Sequence, residues 1–327
     1  MILPRKPARK IKEKIYTKYF IDLSTDIKDT IFLAGVSRSG TTWVSNVINY
    51  NNEYRYVFEP FKPNDVEIFS SFENIQYIRP GSTDALLYEP VYNALSGKLR
   101  SPWSDKLNKR LVANKRFVKG TRANLMLKWL NVNFPQVPIV LLFRHPCAVA
   151  NSKINLERQT QSGRWTGNLN IFLKQDALVE DYLSPFVDDI HKAYLRQKET
   201  KDDFETHIFQ WCIQNYVPLR QLDPGDTHLA FYEDLCTNPD VEIPRLFKFI
   251  GKEYNSGVLD SLNKASSVSR KDSAVNTGES LIKSWQKYIS PQQVERALEI
   301  MSLFGLDGIY SADPQPNAKK AHEILQA

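Results

Sequence analysis

Cysteine is scarce in this sequence, and what there is does not pair. Cys147, Cys212 and Cys236 are odd in number and lack a C-x-x-C spacing. That excludes a disulfide scaffold and a thiolate zinc site, and it suits a reducing, cytoplasmic setting. The five histidines (145, 191, 207, 228 and 322) never fall at a ligand-like spacing, so no bound metal is expected. No apolar run approaches the ~18 residues that span a bilayer. The basic start is followed by no apolar core of a secretory signal. Charge of one sign is also missing from most of the chain. Residues 1–20 hold seven Lys/Arg against Glu13 alone, so the net charge of +6 belongs to this tail and the body is neutral. A body without a basic excess argues against a dedicated nucleic-acid binder. Within the tail, Ile11, Ile15 and Tyr19 share a helical stripe among lysines, which fits either a solvated helix or peripheral contact with an acidic membrane surface.

What remains reads as an ordinary globular chain of 327 residues, 42% hydrophobic and 24% charged. Short apolar runs at 30–35, 54–58, 116–119, 138–144 and 227–232 have the continuous character of buried parallel strands. Helical patterns lie between them. Apolar residues recur at Trp43, Val44, Val47 and Ile48; Pro146 opens a helix through Ile154; Pro244 opens one closed by Gly251; Ser290-Pro291 caps another. The alternation predicts an α/β fold with a mostly parallel central sheet flanked by helices. Two stretches, 60–115 and 157–205, interrupt it and read as insertions, either inert or forming a binding cleft. The expected organisation is a basic extension over 1–28, one domain over 29–312 and a tail over 313–327.

The sharpest local feature is Gly35-Val-Ser-Arg-Ser-Gly40-Thr-Thr-Trp43, between the first strand and its helix. A glycine turn feeding a helix N-terminus presents backbone N–H groups to phosphate oxygens. Arg38 adds a cation, and Ser39, Thr41 and Thr42 add hydroxyls. The spacing resembles a Walker A loop, but Thr41 stands where its lysine should be. A nucleotide kinase would need that lysine for its β/γ-phosphates. A second feature is Arg144-His-Pro-Cys-Ala-Val-Ala-Asn-Ser152, a strand-end arginine with a helix-borne hydroxyl two turns on. At the carboxyl edge of an α/β sheet that pair suits a second phosphate.

Together these motifs resemble the sulfotransferases that use 3′-phosphoadenosine-5′-phosphosulfate (PAPS). In that family a [K/R]-S-G-[T/S]-[T/S] turn binds the 5′-phosphosulfate, as Arg38-Ser39-Gly40-Thr41-Thr42-Trp43 would here. An R-x-P-x-x-[V/A]-x-x-S segment holds the 3′-phosphate, matched by Arg144 and Ser152. Tyr232-Glu-Asp-Leu235 is a third likeness. The resemblance implies a P-loop-like fold, PAPS as donor, adenosine 3′,5′-bisphosphate (PAP) as product and no metal. It also implies Tyr232 near adenine and, more faintly, Arg270 and Lys271 in a loop closing over the 3′-phosphate.

One departure matters. Enzymes of the family that act on phenols and steroids carry K-x-H after the third strand, whereas Lys119-Gly-Thr-Arg122 has no histidine. Phe58-Glu59-Pro60 resembles the F-E-P of the carbohydrate enzymes. Glu59 is therefore the expected base, with a raised pKa, and Arg38 and Lys119 are expected to meet the transferring sulfonate. The expected acceptor is a hydroxyl on a small molecule, carbohydrate or lipid. The rival classes are a P-loop-type kinase and a non-catalytic nucleotide or nucleic-acid binder acting through the tail.

Overall fold

Five runs in which nearly every residue is buried form the central sheet of the computed structural model, which describes residues 18–160, 168–262 and 280–326. They are β1 (Thr30–Gly35), β2 (Tyr54–Phe58), β3 (Lys115–Gly120), β4 (Ile139–Phe143) and β5 (Thr227–Phe231). The order across the sheet is β2-β3-β1-β4-β5, and every neighbouring pair is parallel. Such runs show no polar alternation because helices cover both faces.

Alternate residues serve two cores. Phe32, Val57, Val118, Leu141 and Phe143 pack on one side with Trp129, Phe209 and Trp211. Leu33, Tyr56, Val140 and Leu142 pack on the other with Trp43, Val44, Leu246 and Phe247. Helix α1 (Thr41–Ile48) and helix α4 (Pro239–Phe249) cover the second face. Helices α2 (Pro146–Thr160), α3 (Phe204–Gln221) and α5 (Pro291–Leu303) build the first. Ser290 closes a capping box with Gln293 at the start of α5.

Two local readings change. Pro244 does not open a helix: α4 starts at Pro239, an earlier proline at the first helical position, and Pro244 lies within it. The expected end is found, since Gly251 adopts φ 63° and Lys252 N–H bonds Phe247 O at 3.0 Å. The 60–115 stretch contains the helix Ala85–Leu95 and sends Phe61, Phe69, Phe72 and Tyr77 into the first core. Beyond residue 313, the helix Ala318–Gln326 likewise buries Ala321 and Leu325.

The amino-terminal edge of the sheet is held by charge. Arg55 and Arg116, register partners on β2 and β3, are both fully buried. Asp22 takes Arg116 Nη1 at 3.0 Å and Arg55 Nη1 at 3.4 Å, while Asp105 takes Arg55 Nη2 at 3.0 Å. The carbonyls of Leu95 and Gly97 accept further bonds from the two guanidinium groups. Asp22 itself sits in a two-residue parallel ladder, Ile21–Asp22 with Val112–Ala113. The other basic residues of the tail, Arg5 to Lys14, lie outside the described residues, as do Arg270 and Lys271. Among the described residues no helix is long and apolar enough to cross a membrane.

Candidate active site

Among the described residues the chemistry-bearing motifs meet at the carboxyl edge of the sheet, because parallel strands end there together. The turn after β1 is shaped by two glycines. Gly35 has φ 153°, and a Cβ on it would lie 2.7 Å from Leu142 O. Gly40 has φ 94°, and a Cβ there would come within 2.5 Å of the Tyr232 ring. Glycine is therefore required at Gly40 by both conformation and space. Gly40 O accepts Trp43 N–H at 2.9 Å and Val44 N–H at 3.1 Å, which leaves the Thr41 and Thr42 N–H groups at the start of α1 without an acceptor in the helix. Asn124 pins the turn from below, its side-chain oxygen accepting Gly35 N–H at 3.1 Å. Among the described residues Ser39 Oγ, though buried, has no hydrogen-bond partner. A buried hydroxyl left unmatched inside a cradle of N–H groups fits an anion acceptor that the turn is built to receive.

The second phosphate motif faces this turn. Arg144 leaves β4, donates from Nη1 to Arg38 O at 3.1 Å, and lies 4.3 Å over the Tyr232 ring. Its Nε is buried and unmatched among the described residues. Ser152, two turns into α2, accepts from Arg38 Nε at 3.0 Å. The turn and the α2 hydroxyl are thus one continuous surface, joined by Arg38. Next in sequence, Lys153 is buried against Gln210 Oε1 at 3.0 Å, and burial pushes its ammonium down to about 8. Tyr232 is core as much as site: it packs edge-on against Trp43, and one face is taken by Arg144. Trp43 is buried too and donates to Leu262 O at 3.2 Å. Behind Arg144, His145 N–H donates to Glu233 Oε1 at 2.9 Å, and Tyr310 OH donates to Glu233 Oε2 at 3.1 Å. Desolvation raises the Glu233 carboxyl to about 7.

Glu59 closes the site at the end of β2. It has φ 45°, a left-handed conformation that turns its side chain back over β3. Its Oε1 takes Lys119 Nζ at 2.7 Å, and its Oε2 takes Thr121 N–H at 2.9 Å. Thr121 Oγ1 donates to the carboxylate as well, 2.8 Å from Oε1. Arg122 Nη1 stands 3.5 Å away. The expectation of a raised pKa is overturned. Burial alone would raise the carboxyl, but the charges of Lys119 and Arg122 and the bonds from Lys119 and Thr121 outweigh it, and Glu59 sits below its ordinary value. Lys119 is lowered in turn, by burial first, against the opposing pull of Glu59.

The structure therefore brings Arg38, Ser39, Gly40, Thr41, Thr42, Arg144 and Ser152 onto one surface and sets the Glu59–Lys119 pair beside it. Thr121, Glu233 and Lys153 are the additions. Thr121 lies two residues past Lys119 in a stretch conspicuous only for lacking histidine, and Lys153 directly follows the motif serine. Glu233 belongs to the Tyr232-Glu-Asp-Leu235 likeness but carries no sign of its partner.

The sulfotransferase domain family matches residues 28–305. The chain belongs to that family and is a sulfotransferase enzyme. Membership implies PAPS as donor and PAP as product. Among solved structures, the sulfotransferase domain from the curacin biosynthetic pathway is 16% identical over 83% of this chain and 95% of that one, with a TM-score of 0.46. The domain from the Synechococcus PCC 7002 olefin synthase is 12% identical over 84% and 94%, at 0.44. A mouse sulfotransferase complexed with PAP is 14% identical over 91% and 90%, at 0.43. No curated protein matches the chain.

Proposed function

We propose that this enzyme moves the sulfonate of PAPS onto a hydroxyl of a small-molecule, carbohydrate or lipid acceptor, with Glu59 as the general base. The observation that supports it most is the 2.7 Å pair between Glu59 and Lys119, at the ends of adjacent strands and next to the turn after β1. The turn and Arg38 hold the 5′ end of the donor, and Arg144 and Ser152 hold its 3′-phosphate, which positions the sulfur before chemistry begins. Glu59 is ionised at neutral pH and ready to receive the hydroxyl proton. Lys119 serves two anions in succession. As negative charge builds on the sulfonate and the bridging oxygen, its ammonium turns toward them, loosens from Glu59, and so raises the proton affinity of the carboxylate when it is needed.

Glu59→Gln tests the assignment. Turnover with labelled PAPS should fall at least ~100-fold, the usual scale for a lost general base. PAP affinity by calorimetry should hold, because PAP has no sulfonate and its phosphates are assigned to the turn, Arg144 and Ser152 rather than to the carboxylate. Retained turnover removes Glu59 from the role.

A further inference from the structure

A cavity of about 720 Å³ opens between α5, the short helix Ser284–Lys287 and residues 307–312. That is the size of a small-molecule site. It stands apart from the proposed catalytic corner. Glu59 follows β2, whereas the Trp285 wall of the cavity rests on His145, just after β4, and β3 and β1 lie between.

The wall is already in place. The Trp285 ring stacks on the His145 imidazole, with centroids 4.3 Å apart. His145 Nδ1 accepts Cys147 N–H, which leaves Nε2 to donate to Ser311 O at 2.9 Å. The hydroxyl of Tyr310 is anchored on Glu233. Trp285, Tyr310 and Ser311 all line the cavity, so a ligand finds it formed.

The lining says what would fit. Ile289, Val294 and Leu298 join the two aromatic rings in an apolar floor. No Lys, Arg or His lines the cavity, whereas Glu295, Glu299 and Asp307 do. Arg296 engages Glu299 at 2.7 Å. Glu295 and Asp307 are exposed, and among the described residues their side chains make no hydrogen bond or ion pair. Trp285 adds a separate requirement. It is only 2% exposed, and its indole Nε1 has no hydrogen-bond partner among the described residues. A buried donor left unmatched is costly, and an oxygen brought against that wall would match it. We infer that this cavity is a second ligand site, for an organic cation with an apolar body and an acceptor oxygen between the two. The body lies on the floor, the cation meets Glu295 and Asp307 at the mouth, and the oxygen takes the Trp285 N–H.

Octanoylcholine carries all three features. Octyltrimethylammonium lacks the oxygen, and octanoate replaces the cation by an anion. Calorimetric titrations with PAP present, which keeps the proposed donor surface out of the competition, should rank them in that order. Octanoylcholine should bind about fivefold tighter than octyltrimethylammonium, the scale of one hydrogen bond. It should exceed octanoate at least tenfold, a margin that shrinks with added salt. Glu295→Gln combined with Asp307→Asn should weaken octanoylcholine about fivefold. Ser302→Trp, which fills the cavity from an exposed position on its wall, should abolish its binding. PAP affinity should hold in both variants, and its loss would overturn the separation of the two sites and the inference with it. Either comparison ligand binding as tightly as octanoylcholine overturns the inference too. So does an affinity for octanoylcholine that is indifferent to either variant, or too weak to detect in the parent enzyme.

Discussion

Arg38 and Ser152, 114 positions apart in sequence, share a 3.0 Å hydrogen bond that ties the turn after β1 to α2. The bond joins the two halves of the proposed donor surface. Ser152→Ala removes both a partner of Arg38 and the hydroxyl proposed to meet the 3′-phosphate. PAP should bind about fivefold to tenfold more weakly, the scale of one hydrogen bond. Arg144→Ala should cost more, about 1.5–3 kcal/mol for a charge-assisted contact. Calorimetric titration with PAP measures both, and unchanged affinity in either variant would detach that residue from the donor.

Gly40→Ala asks whether the turn tolerates a side chain. The added methyl would drive into Tyr232, and the φ of 94° is costly for any L-residue. PAP affinity should drop more than tenfold while the far-ultraviolet circular dichroism is preserved. An alanine variant that binds PAP normally would show that the turn relaxes without loss.

Thr121 donates twice to Glu59, once from its amide and once from its hydroxyl. Thr121→Val keeps the amide and deletes the hydroxyl. Hydrogen bonds to the ionised form hold a carboxyl's pKa down, so the acid limb of kcat/KM should move to higher pH in the variant. The limb of the parent enzyme should lie below the ordinary carboxylate range. A variant that is merely slower, with its pH profile unmoved, would leave Thr121 a packing residue.

Glu233 provides a stability test with a definite sign. Its folded pKa of about 7 lies above the ordinary value of 4.5, so the folded state holds its proton more tightly than the unfolded chain does. The stability tied to this proton is fully present below about pH 4.5 and is lost as pH rises through 7. Glu233→Gln can never ionise, and it keeps an acceptor for His145 N–H. Relative to the parent, it should gain stability between pH 5 and pH 8, by up to about 3 kcal/mol. Urea melts at the two values read the difference, and parallel behaviour of the two proteins would place the carboxyl's titration elsewhere.

The contrast between what could and could not be read from the sequence follows the distance between interacting residues. The turn at 35–43 and the span from Arg144 to Ser152 were legible because each motif is local: its residues sit on one strand end and the helix that follows. The sheet was legible because parallel strands buried on both faces announce themselves as unbroken apolar runs. The pKa direction of Glu59 was not, since the groups that reverse the effect of burial, Lys119, Thr121 and Arg122, are about sixty residues away. The start of α4 was misplaced because two prolines, Pro239 and Pro244, both suit a first helical position, and nothing local chooses between them.

Asp22 sets a practical limit on how the chain can be shortened. It lies only a few residues inside the described amino terminus, yet it pairs with Arg116 and shares Arg55 with Asp105, two guanidinium groups that have no access to water. Trimming past it would strip a counter-ion from beneath β2 and β3, at a cost of about 3–5 kcal/mol for a buried charge left uncompensated. The opposite ends of those same two strands carry Glu59 and Lys119. An expression boundary drawn at the first residue of the sheet would therefore weaken the foundation of the proposed catalytic corner while leaving every motif residue in the sequence.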